Sequence, residues 1–184
     1  FFMALPTALF NLTVVTGLVL KFYEYFLFDR NNPCKLNFLL QYIIVFVSTD
    51  FGFYVMHRLF HQKFVIFGKE YNLYMIHKQH HEFVDPIGLS AYYAHPLDYL
   101  FANLLPLSIP IAIINPPDFL LYQFIVIGVL KSVVWGHGDY VFTRGFHETH
   151  HRTFNYNYGS DRIFDYIFGT LHPSFGGKLY KIWK

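Results

Sequence analysis

Four stretches of this chain are apolar for as long as a bilayer is thick, and that limits what it can fold into. A spanning helix needs about 20 mostly apolar residues. The first candidate runs from about Pro6 to Leu20 and continues towards Phe28, interrupted only by Lys21 and Glu24. The second, Leu36 to Met56, contains a single acid, Asp50. The third and fourth run over roughly Leu97–Ile114 and Phe119–Val134, and Pro106, Pro110, Pro116 and Pro117 mark the region of their turn, because proline breaks or kinks helices. A soluble helical core is a poor alternative. The chain is 54% hydrophobic and 14% charged, whereas a soluble domain carries about 25% charged residues. The expected fold is therefore an all-α integral membrane protein, with about four transmembrane helices in two hairpins.

Two hairpins put segments 57–96 and 131–184 on the same side. Of the 14 Lys and Arg in the chain, eleven lie in those segments: Arg58, Lys63, Lys69, Lys78, Lys131, Arg144, Arg152, Arg162, Lys178, Lys181 and Lys184. The positive-inside rule assigns that side to the cytosol, or to the matrix in a mitochondrial inner membrane. No linker, internal repeat or low-complexity segment divides residues 1–184, so one domain is expected. The chain begins with Phe1 rather than Met, so a processed or incomplete start is expected, and no signal peptide with a cleavage site is visible. A net charge of +2 and the lack of a basic aromatic stripe argue against nucleic acid as a partner.

Cys34 is the only cysteine, which excludes an intramolecular disulfide and a cysteine zinc site. Histidine is the remaining metal ligand, and all eleven histidines lie in the two segments just described. His57 and His61 are an i, i+4 pair. His77, His80 and His81 form an i, i+3, i+4 set, and His147, His150 and His151 repeat it. Residues at these spacings share a helix face, so three faces can point imidazoles at one place. His95 and His137 each sit beside a predicted membrane end, and His172 lies in a loop before Pro173.

Eight or nine imidazoles exceed what one zinc ion uses, so two metal ions are the simpler count. Imidazole suits iron, copper, nickel and zinc alike, and the residues alone do not choose among them. Ligating histidines need partners that fix their orientation. Asp50, Glu148 and Asp139 are the first candidates, Asp98 lies nearby, and Glu82 and Asp85 read better as solvated charges. HETHH at 147–151 looks superficially like a zinc-hydrolase HExxH motif. Its later histidines fall at i+3 and i+4, and eight box histidines exceed what one zinc can use.

These clusters and their flanks resemble the fatty acid hydroxylase/sterol desaturase superfamily over about residues 40–170. HRLFH, HKQHHEF and HETHH look like its three histidine boxes. HKQHHEFVDPIGLSAYYAHPLDY at 77–99, HGDYVF at 137–142 and NYGSDRIFDYIFGT at 157–170 are most similar to C-4 methylsterol monooxygenases. Glu148 stands where that group has Asp, and Gly138-Asp139-Tyr140 replaces Ser-Gly-Tyr. The resemblance implies an O2-dependent membrane monooxygenase with two non-haem iron ions. Its ligands would be His57, His61, His77, His80, His81, His137, His147, His150 and His151. His95 would be a pocket residue or a further ligand, with the pocket preferred, and His172 a non-ligand.

The implied reaction is oxidation of a sterol C-4 methyl group, with fatty acyl hydroxylation or sterol C-5 desaturation as alternatives. No catalytic residue is implied beyond the metal site. The chain has no glycine-rich nucleotide motif, so electrons would come from NAD(P)H through a separate donor, a reductase or a cytochrome b5-type carrier. The expected partners are thus a lipid substrate, O2, the donor protein and membrane lipids. The endoplasmic reticulum is the implied membrane. A different class of reading is a structural subunit that keeps this scaffold inside a larger membrane complex.

Overall fold

The computed structural model describes residues 4–137 and 145–176. Four helices are long and apolar enough to cross a membrane: α1 (Ala4–Phe26), α2 (Phe38–Phe60), α4 (Pro96–Ile114) and α5 (Asp118–Gly136). At about 1.5 Å per residue they reach roughly 29–35 Å, the thickness of a bilayer core. Their outward faces carry large exposed apolar side chains, among them Leu39, Ile113 and Tyr122. Water would not tolerate so much continuous apolar surface, and the chain is an integral membrane protein.

Capping residues define the ends. Asn37 opens α2 by accepting a hydrogen bond from the Leu39 backbone N–H at 2.8 Å. Asn115 closes α4 in the left-handed conformation (φ 49°), which asparagine tolerates, and its side-chain amide donates to the carbonyls of Asp29 and Asn32. Pro116 and Pro117 then lead into α5. Pro106 and Pro110 do not belong to this turn, contrary to the sequence expectation: both lie inside α4 and are buried. Proline's missing N–H is tolerated in a membrane helix when neighbours and local π geometry absorb it, and a π-helical segment (Tyr99–Leu104) ends two residues before Pro106 in α4.

The loop between α1 and α2 meets the α4–α5 turn through an Arg30–Asp118 ion pair at 2.7 Å and the Cys34 N–H donating to the Asn115 carbonyl at 2.8 Å. At the opposite end, Asn11 of α1 is fully buried and donates to the carbonyls of Tyr92 and Ala94, both at 2.9 Å. The C-terminal ends of α2 and α5 and the N-terminal end of α4 share that side with every described histidine. One apolar core lies between α2, α4 and α5 (Val45, Ile111, Leu120, Leu121, Phe124). A second joins α1 to residues 91–99 (Ala8, Ala91, Tyr92, Ala94, Tyr99).

An antiparallel hairpin, β1 (Lys63–Ile66) and β2 (Lys69–Asn72), departs from the purely helical expectation. It turns on Phe67 and Gly68, both with positive φ, as a tight two-residue hairpin turn requires. Three short helices follow the spans: α3 (Tyr74–His77), α6 (Phe146–Thr153) and α7 (Arg162–Ile167).

Helices α2 and α4 approach closely at Gly52, where a Cβ would lie 3.3 Å from Pro106 Cβ. Gly52→Leu is expected to destabilise the bundle by about 1–3 kcal/mol through overpacking. Gly17, with nothing within 4 Å of its Cβ position, is the control. Thermal unfolding in detergent should lower the midpoint for Gly52→Leu only; equal midpoints would show that α2 and α4 are not packed this way.

Candidate metal centre

The three histidine boxes stand on three different supports. His57 lies in the last turn of α2 and His61 caps it. His77 ends α3, and His80 and His81 follow in a 3-10 turn (His80–Glu82), so the second box is not one regular α-helix. Helical backbone at Lys78 and Gln79 nevertheless keeps the i, i+4 relation of His77 and His81. The third box lies on α6, which Gly145 opens at φ 68° and Phe154 closes at φ 63°.

The structure brings these eight histidines and His137 together, but sorts them into two groups. One comprises His57, His61, His77, His81 and His150. The other comprises His80, His137, His147 and His151. Within each group the ligand nitrogens lie within 4.8 Å of one another. Each HxxHH box serves both groups. The second box sends its i and i+4 members to the first group and its i+3 member to the other, and the third box does the reverse. The groups adjoin: the rings of His81 and His151 are 4.6 Å apart.

Hydrogen bonds at the backs of the rings set their tautomers. Nδ1 of His57 meets the Tyr158 carbonyl at 2.7 Å, Nδ1 of His150 the Tyr156 carbonyl at 2.7 Å, and Nδ1 of His137 the Ser132 carbonyl at 2.8 Å. A carbonyl only accepts, so each Nδ1 carries the proton and each Nε2 presents a lone pair inward. His77 Nδ1 donates to Asp98 Oδ2 at 2.8 Å, in a pair that is almost wholly buried.

Inward nitrogens crowd together. His81 Nε2 lies 3.0 Å from His77 Nε2 and 3.1 Å from His61 Nε2, and His150 Nε2 lies 3.1 Å from His61 Nε2. His137 and His80 approach through Nε2 at 3.3 Å. Buried Nε2 atoms of His57 and His147 have no hydrogen-bond partner. Buried polar atoms are normally paired, and lone pairs facing one another repel. Nitrogens that are each about 2.1 Å from a shared cation fall roughly 3 Å apart. The arrangement therefore fits one metal ion in each group.

Burial and neighbouring imidazoles keep the rings neutral. Desolvation lowers the pKa of His61 to about 2 and of His151 to about 3. His137 is lowered to about 4 by burial, against the Ser132 hydrogen bond. His80, His81, His147 and His150 are pushed below the ordinary histidine range by burial first and nearby imidazoles second. A lowered folded-state value means that the unfolded chain binds more protons below about pH 6.5, so acid removes stability. Burial raises Asp165 to about 6, which acts in the opposite direction. One carboxyl against seven imidazoles does not reverse the sign. The melting temperature of metal-free protein in detergent is expected to fall continuously from about pH 7 to pH 5; a flat or rising profile would show that the rings are not buried neutral.

Not every residue singled out by sequence joins the centre. His95 is in neither group: it caps α4, its Nδ1 accepting from the Leu97 N–H at 3.2 Å. His172 caps a 3-10 turn and is also in neither group. Asp50 touches no imidazole. One of its carboxylate oxygens accepts from the Ser160 N–H, the Ser160 hydroxyl and the Asp161 N–H. Glu148 sits on the outer face of α6 and pairs with Arg152 at 2.6 Å. Asp139 lies outside the described residues. Asp98 is the described carboxylate that meets a ring of the centre.

Two acids shape the 156–170 clasp behind the rings. Asp50 holds its Ser160 end. Asp165 accepts from the N–H groups of Tyr158 and Gly159 and from the Thr170 hydroxyl, which places the Tyr158 carbonyl against His57. The sequence profile of the fatty acid hydroxylase family matches residues 42–170, from the second turn of α2 through this clasp.

The chain belongs to the fatty acid hydroxylase family.

Among curated members and relatives, this fatty acid hydroxylase chain is 29% identical to human fatty acid hydroxylase domain-containing protein 2, over 91% of the chain and 51% of the human protein. It is 35% identical to the very-long-chain aldehyde decarbonylase GL1-8 of Oryza sativa subsp. japonica, over 71% of the chain and 51% of that protein. It is 32% identical to methylsterol monooxygenase 2-2 of Arabidopsis thaliana, over 71% and 52%. The chain spans about half the length of these relatives. No solved structure matches it significantly.

Proposed function

We propose that this fatty acid hydroxylase family member is an O2-dependent oxygenase that oxidises a C–H bond of a membrane lipid, with two iron ions held by the nine grouped histidines. The observation that carries this reading is the division of nine buried imidazoles into adjoining groups of five and four inside an integral membrane protein. Iron bound there would supply the activation of O2 and the attack on an unactivated C–H bond, which side chains alone do not provide. The chain's own residues hold the ligands. Asp98 fixes the tautomer of His77, the carbonyls of Ser132, Tyr156 and Tyr158 fix those of His137, His150 and His57, and burial excludes water from the rings.

Hydroxylation puts one atom of O2 into the lipid and releases the other as water, consuming two electrons and two protons. A separate NAD(P)H-linked donor, a reductase or a cytochrome b5-type carrier, would deliver the electrons. Eleven Lys and Arg in segments 57–96 and 131–184 support a cytosolic position for the histidine-bearing side, in the endoplasmic reticulum membrane. Two substrate classes have support. The 77–99 run and the Arabidopsis methylsterol monooxygenase favour a sterol C-4 methyl group. The narrow cavity beside His137 and His147 favours a fatty acyl chain.

Purified protein in lipid nanodiscs should be supplied with NADPH, reductase, a cytochrome b5-type carrier and 18O2, with a 4-methylsterol or an acyl lipid. One labelled oxygen atom per product molecule is expected from one of the two. No O2-dependent product from either, together with stable incorporation into a larger membrane complex, would replace this reading with a structural role.

A further inference from the structure

Two cavities within the membrane-spanning bundle share four wall residues. The outer one, about 120 Å³, lies among α1, α4 and α5. Leu20 and Val129 belong to its wall and are 40% and 43% exposed on the outer faces of their helices, where the acyl chains of a bilayer lie. The inner one, about 70 Å³, lies between α2, α4 and α5 and reaches His137 and His147 of the four-histidine group. Asn103, Leu107, Gly128 and Ser132 line both cavities.

Leu107 and Gly128 form the constriction between them. A Cβ on Gly128 would lie 2.5 Å from Leu107 Cδ2, so the leucine methyl occupies the space that any other residue at 128 would fill. A leucine end group moves between staggered rotamers without moving the backbone, whereas α2 and α4 are packed to backbone contact at Gly52 and Pro106. The constriction can therefore open by one side-chain rotation. That admits a single flexible chain and resists a rigid fused-ring body. The surface beyond it is mostly apolar, with Phe53 and Gly136 in the wall beside the polar Thr49 and Ser160. The Lys131 ammonium there is paired with Asp161, and the Ser132 carbonyl is taken by His137.

We propose that the two cavities are one path, by which the unbranched alkyl chain of a membrane lipid enters between α1 and α5, passes Leu107 as it swings off Gly128, and ends at His137 and His147. This rests on the reading of that group as part of the metal centre, and makes Leu107 a positioning and selecting residue.

The test measures occupancy rather than turnover. Protein in nanodiscs containing a phospholipid with a diazirine near the end of its acyl chain is irradiated, and adducts are mapped by mass spectrometry. Adducts are expected at Asn103, Leu107 and Ser132, and further in at Phe53 and Gly136. Unlabelled acyl lipid should compete for them, and a 4-methylsterol should not. Leu107→Trp should cut the adducts at Phe53 and Gly136 by at least ten-fold and leave those at Leu20 unchanged. Leu107→Ala, a milder change, should raise the inner adducts at least three-fold. Inner labelling that ignores both substitutions, or that the sterol displaces, overturns the path. Labelling as expected without any oxidised product would count against the oxygenase reading while leaving the path in place.

Discussion

His150→Ala is expected to cut bound metal from two ions per chain to about one and to lower lipid oxidation by at least roughly 100-fold, since losing even an outer support of a ligand costs about 10–100-fold. His150 is fully buried, with Nε2 close to His61 and His81 and Nδ1 tied to the Tyr156 carbonyl. Its loss leaves His57, His61, His77 and His81 in the five-histidine group. Combining it with His147→Ala, which removes a member of the other group, should empty both sites. His172→Ala should keep two ions, because His172 caps a turn outside the centre. Elemental analysis of protein purified in detergent checks all three. Two ions retained in His150→Ala and bound as tightly as before would remove His150 from the five-histidine group.

Asp98→Asn is the second large expectation. The amide can still accept from His77 Nδ1 but loses the negative charge that makes the imidazole a stronger donor to metal. Metal affinity at the five-histidine group is expected to fall about 10–100-fold, read by competition with a chelator. Asp85→Asn is the comparison: Asp85 is exposed and pairs with Arg152 at 2.7 Å, so affinity should not change. Equal affinities for the two variants would mean that Asp98 holds the α4 start in place and does not tune the ligand.

The four spans were legible because length of apolar sequence is itself the physical requirement for crossing a bilayer. The grouping of nine histidines was legible for a related reason: i, i+3, i+4 spacing fixes a shared face even where, as at 77–81, the backbone tightens to a 3-10 turn. How the boxes divide between two groups was not, because it depends on how three supports cross in space. Sequence proximity picked Asp50 and Glu148 as partners of the rings, yet Asp50 lies about two helical turns before His57 and holds the Ser160–Asp161 backbone, while Glu148 faces outward. Asp98 was named only as a neighbour. Its position one residue from the π turn of α4, turned towards His77, is a tertiary fact. Carbonyls of Ser132, Tyr156 and Tyr158 carry no side-chain signature at all. Asn11, a buried polar residue inside an apolar span, was the readable signal passed over: such a residue commonly ties helices together.

Iron content together with X-ray absorption of the purified, detergent-solubilised protein tests the central claim most directly. Two irons per chain, each in a shell dominated by nitrogen at about 2.0–2.2 Å and lost in His150→Ala/His147→Ala, is the predicted result. A chain that holds no iron after loading, or a single zinc ion, would contradict it.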